Sequence, residues 1–212
     1  LPVAVLVAMA GGGVVSLVLA RAFFTPINQT GPVPLLLTSI GLGIVLRNAI
    51  RLVAGREARY YDTATTTFRF DSIPDLSVGS VDLLGGFFVT SEQLIVVGAA
   101  VAVFVAIHGL LTRTDVGIAM RAMGDDESLA RVRGIDTQLI RDSVWVLAGI
   151  LAGLSGVLLA IQTNVNATTG FSQILQILSA AILGGAGSPY GAILGAYLIG
   201  IVLALSTAFP AT

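Results

Sequence analysis

TRTDVGIAMRAMGDDESLARVRGIDTQLIRD, Thr112 to Asp142, is a charged stretch set between two long apolar runs. Five of the chain's eleven cationic residues lie in it: Arg113, Arg121, Arg131, Arg133 and Arg141. Asp125, Asp126, Glu127 and Asp136 stand among them. The flanking runs are Gln93–Leu111 and Ser143–Ile161. Further out lie Leu1–Ala20, Val33–Val53 and Ile174–Phe209, the last interrupted by GGAGSPYG at Gly184–Gly191. Each of the first four is close to the roughly 20 residues that carry a helix across about 30 Å of hydrocarbon. A backbone in lipid must satisfy its polar groups within its own segment, so these runs are expected to be helices. The expected fold is all-α, a polytopic transmembrane helical bundle of five or six segments with a broken-helix hairpin near the C-terminus.

Composition agrees with a lipid-embedded chain. It is 55% apolar and only 11% charged, with a mean hydropathy of +0.94; soluble domains average about a quarter charged. With no Cys there is no disulfide, thiolate metal site or Cys nucleophile. One histidine, His108, cannot make an HExxH zinc site. The absence of lysine rules out a GxxxxGK[ST] phosphate loop, so this chain is not its own P-loop ATPase. No metal, cofactor or nucleic acid is expected. The chain starts on a leucine inside an apolar run, without an initiator Met or a basic flank. The expectation is a single membrane domain over 1–212 that lacks N-terminal helices, and no signal peptide.

Arginine counted over short loops sets orientation, and acids weigh little. The 112–142 loop is therefore expected in the cytoplasm. Counting back, 93–111 enters from outside and 54–92 is an extracytoplasmic loop. Val33–Val53 runs outward, and the 21–32 loop with Arg21 lies inside. Within the outer segment, TTTFRFDSIPDLSVGS alternates β-formers with polar residues and suggests a small hairpin. Phe87 and Phe88 follow where interfacial aromatics are expected. Ser143–Ile161 then runs outward to the uncharged Gln162–Gly170 loop.

Inside the charged loop, Asp125 suits an N-cap, with Asp126 and Glu127 in the first turn, where negative charge meets the helix dipole favourably. Arg131 and Arg133 suit the last turn, and Gly134 the stop. The expected helix is Asp126–Arg133, with Leu129 and Val132 on one face. Two turns are not stable alone in water, so this helix needs packing from the bundle or a partner. Gly149, Gly153 and Gly156 form a small-residue face suited to close helix packing. Gly184, Gly185, Gly187, Ser188 and Gly191 break the last apolar run. Freed backbone there either closes a structural hairpin or lines a path. Arg47 and Asn48 sit toward the outer end of their span, where Arg47 can snorkel or pair. No acid or base lies deep in a span, and Ser188 with His108 is no catalytic constellation.

GIAMRAMGDDESLARVRGID, then LAGILAGLSGVLLA, then ILSAAILGGAGSPYGAILGAYLIG resembles the permease subunits of branched-chain amino acid ABC transporters. LLLTSIGLGIVLRNAIRLVAG (Leu35–Gly55) resembles that family's segment ending in Leu-Arg-Asn. The resemblance covers about residues 35–206. It implies a cytoplasmic coupling helix, here Asp125, Asp126, Glu127, Ser128, Leu129, Ala130, Arg131, Arg133 and Gly134, docking into a groove on an ABC ATPase subunit. It further implies a second permease subunit (homo- or heterodimer), an extracytoplasmic solute-binding protein, and a location in the cell membrane. The family's glutamate six residues before the glycine at Gly134 is absent. Ser128 stands there, with Glu127 one step earlier, so the resemblance carries the docking role and no particular ion pair. The implied cargo is a branched-chain amino acid or a related small amide, and its zwitterion would be recognised by dipoles or chiefly on the binding protein. The other reading from the residues is a secondary carrier or channel for a small neutral solute. A carrier of that kind would more often place an ionisable group at mid-membrane.

Overall fold

The computed structural model describes residues 2–27, 31–55, 67–70, 77–78, 81–82, 87–163, 165–166, 168–185 and 187–208. The protein is an all-α membrane bundle, with two short strand pairs between its second and third long helices. Five helices among the described residues are long and apolar enough to cross a membrane: Pro2–Ile27, Pro32–Ala54, Ser91–Arg113, Thr137–Gln162 and Pro189–Ser206. The chain divides into two compact units, Leu1–Ile40 with Ala58–Val165, and Gly41–Glu57 with Asn166–Thr212.

In the first unit, α1 (Pro2–Leu19) runs through a π-helical turn (Ala20–Phe24) into α2 (Thr25–Ile27). The apolar run predicts a span ending at Ala20 and a loop over 21–32. Instead the helix continues to Ile27, because nothing from Arg21 to Thr25 breaks it. The wider turn falls just before Pro26, whose ring crowds the turn behind it and which has no N–H to give. Helix α3 (Pro32–Ala54) is a 23-residue span shared between the units.

Strands β1 (Thr67–Phe70), β2 (Ser77–Val78), β3 (Val81–Asp82) and β4 (Phe87–Thr90) follow. The hairpin expected within TTTFRFDSIPDLSVGS does not form between its two described strands; each pairs with a later one. β2 pairs with β3, while β1 skips its sequence neighbour and pairs antiparallel with β4, Thr67 opposite Thr90. This brings the chain back to the start of α4 (Ser91–Arg113), where the Thr90 N–H donates to Gln93 Oε1 at 3.2 Å.

Helices α5 (Asp115–Asp125), α6 (Glu127–Val132) and α7 (Thr137–Gln162) complete the unit. α1 and α7 form its principal helix pair. A Cβ on Gly149 would stand 2.3 Å from the Gly12 carbonyl oxygen, and one on Gly153 would stand 2.2 Å from that of Ala8. Only glycine lets these backbones meet, as small residues do in membrane helix pairs. Gly156, grouped with them in the sequence reading, has open space around it. At the same crossing Ser16 Oγ donates to the Trp145 carbonyl at 2.7 Å, and Phe24 stacks on Trp145 with centroids 4.9 Å apart.

The second unit holds α8 (Thr169–Ser172), α9 (Ile174–Gly184) and α10 (Pro189–Ala208). α9 has 11 residues, a rise of about 16 Å, whereas α10 has 20. They pack as a helical hairpin through small residues. A Cβ on Gly191 would overlap the Gly184 carbonyl, and one on Gly195 would stand 2.3 Å from the Ala180 oxygen. Large apolar side chains elsewhere on the helices are exposed, among them Val3, Leu36, Val97, Leu175 and Leu194. Such surfaces suit lipid or neighbouring apolar helices rather than water.

Candidate functional site

The charged loop folds as three capped helices turning two corners. Thr114 caps α5: its hydroxyl donates to the Leu110 carbonyl at 2.5 Å and accepts from the Gly117 N–H at 3.1 Å. A Cβ on Gly117 would collide with that same Leu110 oxygen, so glycine is what seats α5 against the end of α4. The sequence does carry a signal for this helix: Thr114 followed by an acid at Asp115 is an N-terminal signature.

Asp126, rather than Asp125, caps α6. Its Oδ1 accepts from the Ser128 N–H at 2.8 Å and the Leu129 N–H at 3.0 Å, and from the Ser128 hydroxyl at 2.6 Å. Asp125 is instead the last residue of α5. The cap moved by one because α5 runs up to Asp125, leaving Asp126 as the extended residue between the helices, φ −154° and ψ 106°. The Ser128 hydroxyl, followed by the Leu129 amide, holds the Asp126 carboxyl below the ordinary carboxylate range.

α6 ends at Val132, with Arg131 in its last turn and Arg133 just beyond it as the C-cap. Gly134 takes φ +82°. The Gly134 N–H donates to the Arg131 carbonyl at 3.0 Å, and the Ile135 N–H reaches back to the Ala130 carbonyl at 3.1 Å. This is the Schellman closure, which needs a left-handed residue and therefore favours glycine. Asp136 then caps α7 by accepting from Gln138 and Leu139 N–H, each at 3.1 Å.

Side chains fasten this corner to the bundle. Glu127 Oε1 accepts from Arg141 at 2.6 Å and from Arg131 at 3.1 Å. Ala130 on α6 and Ile140 on α7 are buried, while Leu129 and Val132 are 53% and 84% exposed. Arg21, in the π turn, donates twice to Asp142 Oδ2, at 2.6 and 3.1 Å, and Gln138 donates to the other Asp142 oxygen at 3.1 Å. The Arg21–Asp142 pair joins residues far apart in sequence and escaped the reading from spacing. Beside it a cleft of about 580 Å³ lies among Leu110, Val116, Met120, Leu139 and Val146.

The second candidate group is the hairpin turn. Gly184 and Gly191 are its packing glycines, and Gly185 turns the chain at φ +85°. Ser188 Oγ accepts from the Gly191 N–H at 3.1 Å, capping α10. Gly187 has open space around its Cα. In the same unit, the Arg47 guanidinium lies over the Phe171 ring, 4.9 Å from its centroid. Its Nε is buried without a hydrogen-bond partner.

The whole of residues 1–212 matches the family described as branched-chain amino acid transport system / permease component. A probable branched-chain amino acid transport permease protein LivH of Methanocaldococcus jannaschii is 38% identical over 112 residues, covering 53% of this chain and 36% of the relative. The high-affinity branched-chain amino acid transport system permease protein LivH of Salmonella typhimurium is 27% identical over 91% of this chain and 60% of its own length. BraD of Pseudomonas aeruginosa, a permease protein of the same description, is 27% identical over 85% of this chain and 57% of its own. The chain thus spans between about a third and three fifths of these relatives. No solved structure matches it. With five crossing-length helices and a family match along its full length, the chain is a multi-pass protein of the cell membrane and belongs to the branched-chain amino acid transport permease family.

Proposed function

We propose that the chain is a permease subunit of an ABC importer for branched-chain amino acids or related small amides, and that it forms part of the translocation pathway. The family match and the transport functions that the relatives' names carry support the cargo class. ATP binding and hydrolysis belong to separate ATPase subunits. A solute-binding protein delivers substrate from outside, and a second permease subunit, identical or different, completes the path. The arginine distribution supports a cytoplasmic 112–142 loop, which leaves 54–92 outside.

The observation that carries the coupling role is the anchoring of α6. It is capped at both ends and tied to α7 through Glu127 and Arg141, yet it keeps Leu129 and Val132 exposed. A rigid helix with an apolar outer face can pass a push from a docked ATPase to α7 without folding back. Charged Arg131 and Arg133 border that face. The Gly184–Gly191 turn is assigned to lining the path, since its broken backbone offers polar groups in an otherwise apolar hairpin.

The test is co-purification. A tagged full-length chain is expected to bring down an ATPase subunit, and Arg131→Glu with Arg133→Glu to abolish that capture and leucine uptake while insertion continues. Undiminished uptake in the double reversal defeats the coupling role.

A further inference from the structure

We infer that Arg47 and Arg51 form a recognition site for the α-carboxylate of the transported amino acid; this rests on the importer reading above. The two arginines are one helical turn apart on α3, hence on the same face. Arg21, Arg131 and Arg141 each hold a carboxylate. Arg47 and Arg51 pair with no acid among the described residues. Like charges at this spacing repel, and nothing described on their own helix relieves it. Asn48, between them, donates to the Ile44 carbonyl at 2.9 Å and is occupied by the helix itself.

Arg47 is further constrained. Phe171 holds its guanidinium by the ring face, 4.9 Å from the centroid, which attracts the cation but accepts no directed hydrogen bond. The Nε proton is left buried and unused. A guanidinium N–H buried without an acceptor is costly, and a ligand oxygen would relieve it. Orientation does not account for these two, because arginine at the outer end of a span opposes the positive-inside preference. A guanidinium fork matches a carboxylate with two parallel N–H groups. The Phe171 ring beside it, 54% exposed, offers an apolar surface to an aliphatic side chain. A lipid phosphate shares the oxyanion chemistry, and the experiment separates the two sources.

Phenylglyoxal, which condenses with guanidinium groups, is applied to the full transporter in maltoside micelles, free of phospholipid. Adducts at Arg47 and Arg51 are read by peptide mass spectrometry against the exposed Arg121. Leucine and isovalerate, which carry the carboxylate, are expected to protect both arginines. At about ten times the dissociation constant, only the unoccupied fraction reacts and labelling slows roughly tenfold. Isoamylamine, which has the same branched chain and no carboxylate, is expected to leave labelling unchanged. Equal labelling in all three solutions overturns the site, as does equal protection by the amine. Protection by phosphatidylglycerol and not by leucine assigns the arginines to lipid and also overturns it. Leucine uptake by proteoliposomes is read separately. No uptake by the wild-type chain defeats the importer reading. Wild-type uptake matched by Arg47→Gln defeats the carboxylate site alone, whereas uptake lost in Arg47→Gln and partly restored in Arg47→Lys supports it.

Discussion

Glu127 and Arg141 meet at 2.6 Å across fourteen residues of chain, and this contact ties α6 to α7. Their side chains are 42% and 25% exposed, so water and salt screen the pair and its worth to global stability is about 1 kcal/mol or less. Under the proposed coupling role, the pair matters more for holding α6 in place than for global stability. Glu127→Gln is expected to leave the melting temperature nearly unchanged while amide exchange in α6 speeds up and leucine uptake drops. A variant with unchanged α6 exchange would show that the buried Ala130 and Ile140 hold the helix without the ion pair.

The Asp126 cap makes α6 sensitive to acid. Its carboxyl titrates below the ordinary 3.8, so the charged form is favoured in the folded state. The cap's contribution is therefore fully present above 3.8 and is lost as pH falls through the lowered value. Hydrogen exchange at Ser128 and Leu129 is expected to be flat in protection from neutrality down to that range and then to lose it. Asp126→Ala should show the unprotected behaviour at every pH, and Ser128→Ala should shift the loss to higher pH.

The α1–α7 crossing predicts a graded series. A methyl at Gly149 would stand 2.3 Å from the Gly12 oxygen and 2.5 Å from Ser16 Cβ, so Gly149→Ala forces the helices apart and costs about 1–3 kcal/mol. Gly149→Leu should prevent the pairing altogether. Gly156→Ala, with open space around it, should be neutral within about 0.5 kcal/mol. Thermal unfolding in detergent, read at Trp145, orders the three.

At the hairpin, Gly185 and Gly187 look alike in sequence but differ in backbone. Gly185 has φ +85°, where a side chain costs about 1–2 kcal/mol. Gly187 carries no positive φ and no near neighbour. Gly185→Ala is expected to lower the unfolding temperature and Gly187→Ala to leave it alone. If the turn also lines the path, Gly187→Val will slow uptake without that loss of stability.

What could be read from the sequence followed the reach of each signal. Spans and the break at Gly184–Gly191 were legible because apolar length and glycine clustering are local. So was the stop at Gly134. The N-cap rule points to Asp125, one residue early, because two aspartates in a row satisfy it and only the extent of α5 chooses between them. The β1–β4 pairing, the Arg21–Asp142 bond and the Phe171 seat of Arg47 were not legible. Each joins residues whose separation along the chain carries no periodicity. Arg47 itself was noticed, but snorkelling and pairing could not be told apart until its ring partner and its unused Nε proton were visible.

The glycine face shared by α1 and α7 also governs biogenesis. Ser16 and Trp145 are 129 residues apart, so a ribosome adding about 5–20 residues per second needs roughly 6 to 26 seconds to supply the partner. Through that interval the notch at Gly12 lies open in the bilayer, a shape any small-residue helix could occupy. The order in which helices leave the insertion machinery, and what shields α1 while it waits, thus becomes part of how this sequence reaches its structure.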